Sequence, residues 1–131
     1  MTRRPPARTA KSRPSRPRKT PAGLTLAEAA CDARKAVAGL VLDLRQISDA
    51  VDYFVIVSGT SDTHVRAIAE HVIATLRAEG MRPYHVEGLS QGRWVLVDYV
   101  DFVVHVFHPT LRSFYQLEGL WGDAPQRQLT P

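Results

Sequence analysis

The stretch Tyr53-Phe54-Val55-Ile56-Val57-Ser58-Gly59-Thr60-Ser61-Asp62 decides the fold. Its first five residues are an unbroken apolar run, the pattern of a strand buried on both faces. A glycine among hydroxyl side chains then turns the chain. Beyond it, Val65, Ile68, Ala69, Val72, Ile73 and Leu76 recur at helical spacing and form one continuous apolar stripe. Arg66, Glu70 and Arg77 lie off that stripe, and Gly80 stands where the helix should end. A buried strand that feeds an amphipathic helix calls for a sheet covered by helices.

Toward the N-terminus, Leu40 to Leu44 reads as a strand and Asp49 to Asp52 as a turn. Thr25-Leu26-Ala27-Glu28 has the form of a capping box and opens a helix. That helix carries Leu26, Ala29, Ala30, Ala33 and Val37 on its apolar side, with Gly39 at its end. Toward the C-terminus, Pro83 to Gly88 reads as a short edge strand, because proline cannot donate to a ladder. Arg93 to Asp98 and Asp101 to Phe107 form an antiparallel hairpin. His108-Pro109 starts a last helix with Leu111, Phe114, Tyr115, Leu117 and Leu120 on its apolar side and Trp121 near its end. The expectation is an α/β (α+β) domain, a mixed five-stranded sheet packed with helices, over residues 24–121, followed by a polar tail at 122–131.

A chain of 131 residues holds one domain. No apolar run is long enough for a transmembrane helix, and no basic segment followed by an apolar stretch marks a secretory leader. Cys31 is the single cysteine. It excludes an internal disulfide and a zinc ribbon, and reads as a small buried thiol in a reducing compartment. Charge is divided unevenly. Residues 1–23 hold eight of the 17 Lys and Arg, none of the 13 acids and five of the nine prolines. The remainder then carries nine basic and 13 acidic residues, a net charge of −4. The head has too little apolar surface to offset its ordering entropy, so it reads as a disordered basic arm. Such an arm suits a polyanion, above all RNA, or serves as a solubilising tail. As an organelle transit peptide it would need an amphipathic helix, which its prolines oppose.

Candidate sites follow from the same reading. Ser58, Gly59, Thr60 and Ser61 precede a helix, where free amides can take an anion. The same residues also suit a plain turn with a Ser/Thr N-cap, and neither dinucleotide nor P-loop glycine motifs are present. Asp98 and Asp101 are close enough to suggest a metal, but no third ligand is in sight, so an acidic tip that meets a basic partner is the better reading. His105 and His108 should diverge, and His64 and His71 are two helical turns apart, so no histidine pair reads as a metal site. In the strand at 94–98, Trp94, Leu96 and Asp98 share one face while Val95 and Val97 take the other. Pattern alone admits both core and interface for Trp94.

Several segments together resemble the Iojap family of ribosomal silencing factors. They are Asp52 to Ser61, His64 to Ala69, Val86-Glu87-Gly88, Gly92 to Asp101, Val104 to Phe107 and Phe114 to Trp121, collinear over about residues 25–121. The resemblance implies a nucleotidyltransferase-like α/β fold and a homodimer when free. It also implies binding to the large ribosomal subunit through its fourteenth protein, where the bound factor blocks joining of the small subunit when nutrients run short. The contact surface it implies comprises Trp94, Leu96, Asp98, Tyr99, Asp101 and His105, with no cofactor, no metal and no membrane. The location is the bacterial cytoplasm, or else a mitochondrion or plastid. One position departs from the family, which has glycine where this chain has Val100. A β-branched residue resists positive φ, so the hairpin needs a different turn or a strained one. Two rival functions are an active nucleotidyltransferase and an RNA-binding module acting through the arm. The first lacks its metal-binding acid pair, since the strand after the Gly59 helix offers only Glu87.

Overall fold

The computed structural model describes residues 21–111 and 124–129. Among these residues, two complete helices, α1 (Ala22–Ala33) and α2 (Asp62–Ala78), accompany six strands. The strands are β1 (Val37–Asp43), β2 (Tyr53–Ser58), β3 (His85–Glu87), β4 (Trp94–Asp98), β5 (Phe102–Phe107) and β6 (Gln126–Gln128). They form one sheet in the order β3-β4-β5-β2-β1-β6. The sheet is mixed: β2 and β5 run parallel at its centre, and every other neighbouring pair is antiparallel. The parallel pair requires a crossover, supplied by α2 and the β3–β4 hairpin.

Helices α1 and α2 cover the same face. Val41, Val55, Val57, Val95, Val97, Val104 and Val106 point from the sheet into a core shared with Leu24, Ala27 and Ala30 of α1 and with Val65, Ile68, Ala69, Val72 and Leu76 of α2. The helical stripe read from the sequence is therefore the buried face of α2, with Ile73 at its margin. A smaller cluster lies on the opposite face, built from Leu42, Leu44, Ile56, Phe107 and Ala124, with Phe54 and Trp94 packed against it. Alternation along β2 sends Val55 and Val57 to one cluster and Ile56 to the other, as an unbroken apolar run requires.

Four boundaries differ from the expectation. Helix α1 begins at Ala22, not at a Thr25 cap, because Leu24 is fully buried and Gly23 lies against Phe102 and Met81. The basic head therefore ends before residue 22. Glu28 does not reach back to cap the helix; it is held by Arg127 of β6 at 2.7 Å through both oxygens. The helix stops at Ala33 rather than Gly39, since Lys35 adopts φ 60° and the Ala36 amide donates back to Cys31 O. Val37 and Gly39 then belong to β1, which bulges between Val37 and Leu40. Finally, residues 126–128, expected in a polar tail, pair with β1 and give the sheet a sixth strand. Three polar residues carry no apolar period, so only backbone pairing reveals that strand. Residues 109–111 are helical; the rest of the expected last helix, with Phe114, Tyr115, Leu117, Leu120 and Trp121, and residues 1–20 of the arm lie outside the described residues.

Candidate functional site

Strand β4 sets the site by simple alternation. Val95 and Val97 are fully buried beneath the helices. Trp94, Leu96 and Asp98 consequently face the other way, and all three are half-buried. Cross-strand register completes that face. On β5, Phe107, His105 and Val103 stand opposite Trp94, Leu96 and Asp98. On β3, at the sheet's edge, Glu87 and His85 stand opposite Leu96 and Asp98. The result is an apolar ribbon with acid at its border. Glu87 is 65 % exposed and is engaged by the His85 imidazole at 2.6 Å. An exposed pair of this kind is weak and can exchange partners.

Of the six residues expected at a contact surface, four share this face. Trp94, Leu96 and Asp98 are accessible on it, whereas His105 is only 5 % exposed. Its Nδ1 accepts a hydrogen bond from the Trp94 indole N–H at 3.2 Å. Burial pushes the His105 imidazole down to about 4. Asp101 sits exposed at the hairpin tip, with its carbonyl tied to the amides of Asp52 and Tyr53. Tyr99 goes elsewhere. Its ring stacks on Phe102 at 5.1 Å, against the helix-side core. Burial there raises its phenol to about 12. Alternation explains this, since Tyr99 follows the parity of Val95 and Val97. The strained alternative for the hairpin is the one realised: Val100 takes φ 75°. Its amide is held by Asp98 Oδ1 at 2.7 Å, which stabilises the turn.

Sequence reasoning missed His85 as a neighbour of the ribbon and weighed Glu87 only as a missing metal ligand. A three-residue strand is too short to display its own period, but Val86 at the centre of His85-Val86-Glu87 is the inward residue and was the available signal. Gly88 also contributes: its φ is +80°, and a Cβ there would lie 2.1 Å from the Trp94 carbonyl oxygen. Glycine lets the end of β3 pass against the start of β4.

The turn before α2 is an N-cap. Ser61 Oγ accepts from the His64 amide at 3.1 Å, while the Thr60 amide donates to His64 Nδ1 at 2.8 Å and the Gly59 amide to Phe107 O at 2.9 Å. The amides of Gly59, Thr60 and His64 thus have acceptors within the protein. Ser58 is buried, and Gly59 permits close approach, since a Cβ would meet Val65 at 2.8 Å. His64 bridges to Arg34 O at 2.7 Å, and His108 Nε2 lies 3.7 Å from Asp62. Cys31 is buried, and desolvation followed by the Glu28 and Asp32 carboxylates raises its thiol to about 12. Among the described residues no group of three or more His, Cys, Asp or Glu is placed to hold a metal. No helix among them is long and apolar enough to cross a membrane.

The chain as a whole is similar to known proteins. The sequence profile of a family described as "Ribosomal silencing factor during starvation" matches residues 17–131. A Bacillus subtilis protein named "Ribosomal silencing factor RsfS" is 48 % identical over 106 residues, covering 81 % of this chain and 90 % of that one. The maize "Protein Iojap, chloroplastic" is 30 % identical over 109 residues, covering 81 % of this chain and 46 % of that one. A crystal structure of a Bacillus halodurans protein superposes with a TM-score of 0.72 at 40 % identity, covering 81 % of this chain and 96 % of the other.

Proposed function

Because the chain belongs to the family of ribosomal silencing factors, we propose that it represses translation by occupying the large ribosomal subunit through the fourteenth protein of that subunit. So placed, it excludes the small subunit when nutrients are short. Family membership supports a ribosome-associated role. The observation that carries the finer reading is the half-buried ribbon of Trp94, Leu96 and Asp98, turned away from α1 and α2 and bordered by Glu87. Tryptophan in such a position is a typical interface anchor. The carboxylates suit a cationic ribosomal protein, for which complementary charge speeds encounter and selects the partner.

The mechanism needs no bond made or broken. A specific interface of ordinary size covers about 800 Å² per partner, and a body held there bars a second large body from the same ground. The free factor is a homodimer in this reading, and it works in the bacterial cytoplasm. It is a regulator and not an enzyme: its relatives carry the name of silencing factors, and its Gly59 turn caps a helix. The basic arm adds contact with ribosomal RNA.

Leu96 offers the cleanest test, because Trp94 and Asp98 also bond within the protein. Leu96→Lys is expected to fold and to lose co-sedimentation with isolated large subunits, and Glu87→Lys to weaken it. Pre-incubating the unchanged protein with large subunits before adding small subunits and Mg²⁺ should lower the yield of joined ribosomes. Undiminished co-sedimentation by Leu96→Lys, or an unaltered yield, overturns the proposal.

A further inference from the structure

We propose that His105 is a positioning residue that fixes the Trp94 indole for docking without itself touching the partner. This rests on the docking role proposed for Trp94. The indole N–H can only donate, and its acceptor is His105 Nδ1 at 3.2 Å. That bond therefore selects the neutral imidazole with its proton on Nε2. The Nε2 atom is buried and has no hydrogen-bond partner, so the ring gives up one polar interaction to keep the other. Aromatic walls hold it in place. Phe54 meets the His105 ring edge-on at 4.6 Å, and Phe107 lies nearly parallel to it, 9° off, at 6.1 Å. Phe107 also packs against the indole at 4.9 Å. The indole is thus held through its ring by Phe107 and through its N–H by His105. A core that needed only volume would place an apolar residue at 105, where β5 is otherwise all valine and phenylalanine. A buried histidine is explained when its nitrogen orients a half-exposed anchor, because ordering the anchor before contact removes a cost of binding.

Three variants of the full chain separate this role from simple packing. His105→Leu and His105→Phe remove the acceptor, and the second keeps a ring in the site. His105→Asn retains an acceptor near the place of Nδ1. Each is followed by thermal unfolding, by the Trp94 indole N–H cross-peak, assigned through Trp94→Phe, and by affinity for isolated large subunits. His105→Phe and His105→Leu should shift that cross-peak and weaken affinity about three- to tenfold, the scale of one orienting hydrogen bond. His105→Asn should bring back both signals while being no more stable than His105→Phe. Unchanged affinity in a folded acceptor-less variant overturns the inference, as does an Asn variant with the cross-peak restored and affinity still lost. If Leu96→Lys abolishes binding while the acceptor-less variants bind normally, His105 alone is misassigned. If Leu96→Lys also binds normally, the docking face itself is wrong.

Discussion

Val100 holds φ 75° at an exposed hairpin tip, a conformation that costs a β-branched residue about 1–2 kcal/mol. The residue is 55 % exposed, so removing its side chain sacrifices little burial. Val100→Gly should relieve the strain, partly offset by glycine's greater freedom in the unfolded chain. The expected net gain is about 0.5–1 kcal/mol, read by urea denaturation. His105 produces a pH effect of defined sign. Its folded value is near 4, below the ordinary 6.5. Between those values the unfolded chain binds a proton that the folded chain refuses. Stability should therefore fall as pH drops from about 6.5 toward 4, by on the order of 3 kcal/mol from this group. Urea midpoints across that window check it, and His105→Asn should flatten the dependence. The residue pattern disclosed Trp94, Leu96 and Asp98 as one face. It did not disclose that His105 is roofed over, because burial of one strand's face depends on elements distant in the chain.

At the scale of elements, β6 is the informative one. It has three exposed polar residues and, among the described residues, a single strand neighbour, so its backbone pairing alone is marginal. Besides the packing of Ala124 and Leu129 on either side of it, the doubly bonded pair of Arg127 with Glu28 of α1 secures it and joins the last strand to the first helix. The Glu28 side chain is 3 % exposed and that of Arg127 47 %. Loss of the guanidinium removes two charge-assisted hydrogen bonds from a buried carboxylate, while solvent softens the cost on the arginine side. Arg127→Ala should destabilise by about 1–3 kcal/mol and raise amide hydrogen exchange in β6 before the rest of the sheet. Helix α2 stands at the other extreme. Its period, its Ser61 cap and its Gly80 stop were all visible in sequence, since each is a local property of the backbone.

For the whole molecule, the division of charge matters most. All eight basic residues of the head fall within residues 1–20, so a deletion ending there spares α1 and leaves a chain of net charge −4. If docking is by the β4 ribbon and the arm adds RNA binding, this shortened chain should still bind large subunits. It should bind more weakly and with a flatter dependence on salt, the log–log slope falling by up to about 0.7–0.9 for each phosphate that the arm would have neutralised. Sedimentation at graded salt measures both. Complete loss of binding would transfer the docking role to the arm.

Local physics was sufficient to determine the strand–turn–helix at 53–78, the β4–β5 hairpin and the buried thiol of Cys31, while at Val100 it left a different turn and a strained one both open. Each depends on a periodicity or a dihedral preference that neighbouring residues impose. Tertiary structure alone decided which strands lie beside each other, that the chain's end supplies a sixth strand, that Glu28 serves Arg127 rather than its own helix, and that His85 and Glu87 border the ribbon. Those outcomes come from hydrogen-bond register and ion pairing between segments far apart in the chain, where the partners are set by the assembled sheet and not by any span short enough to be read in one dimension.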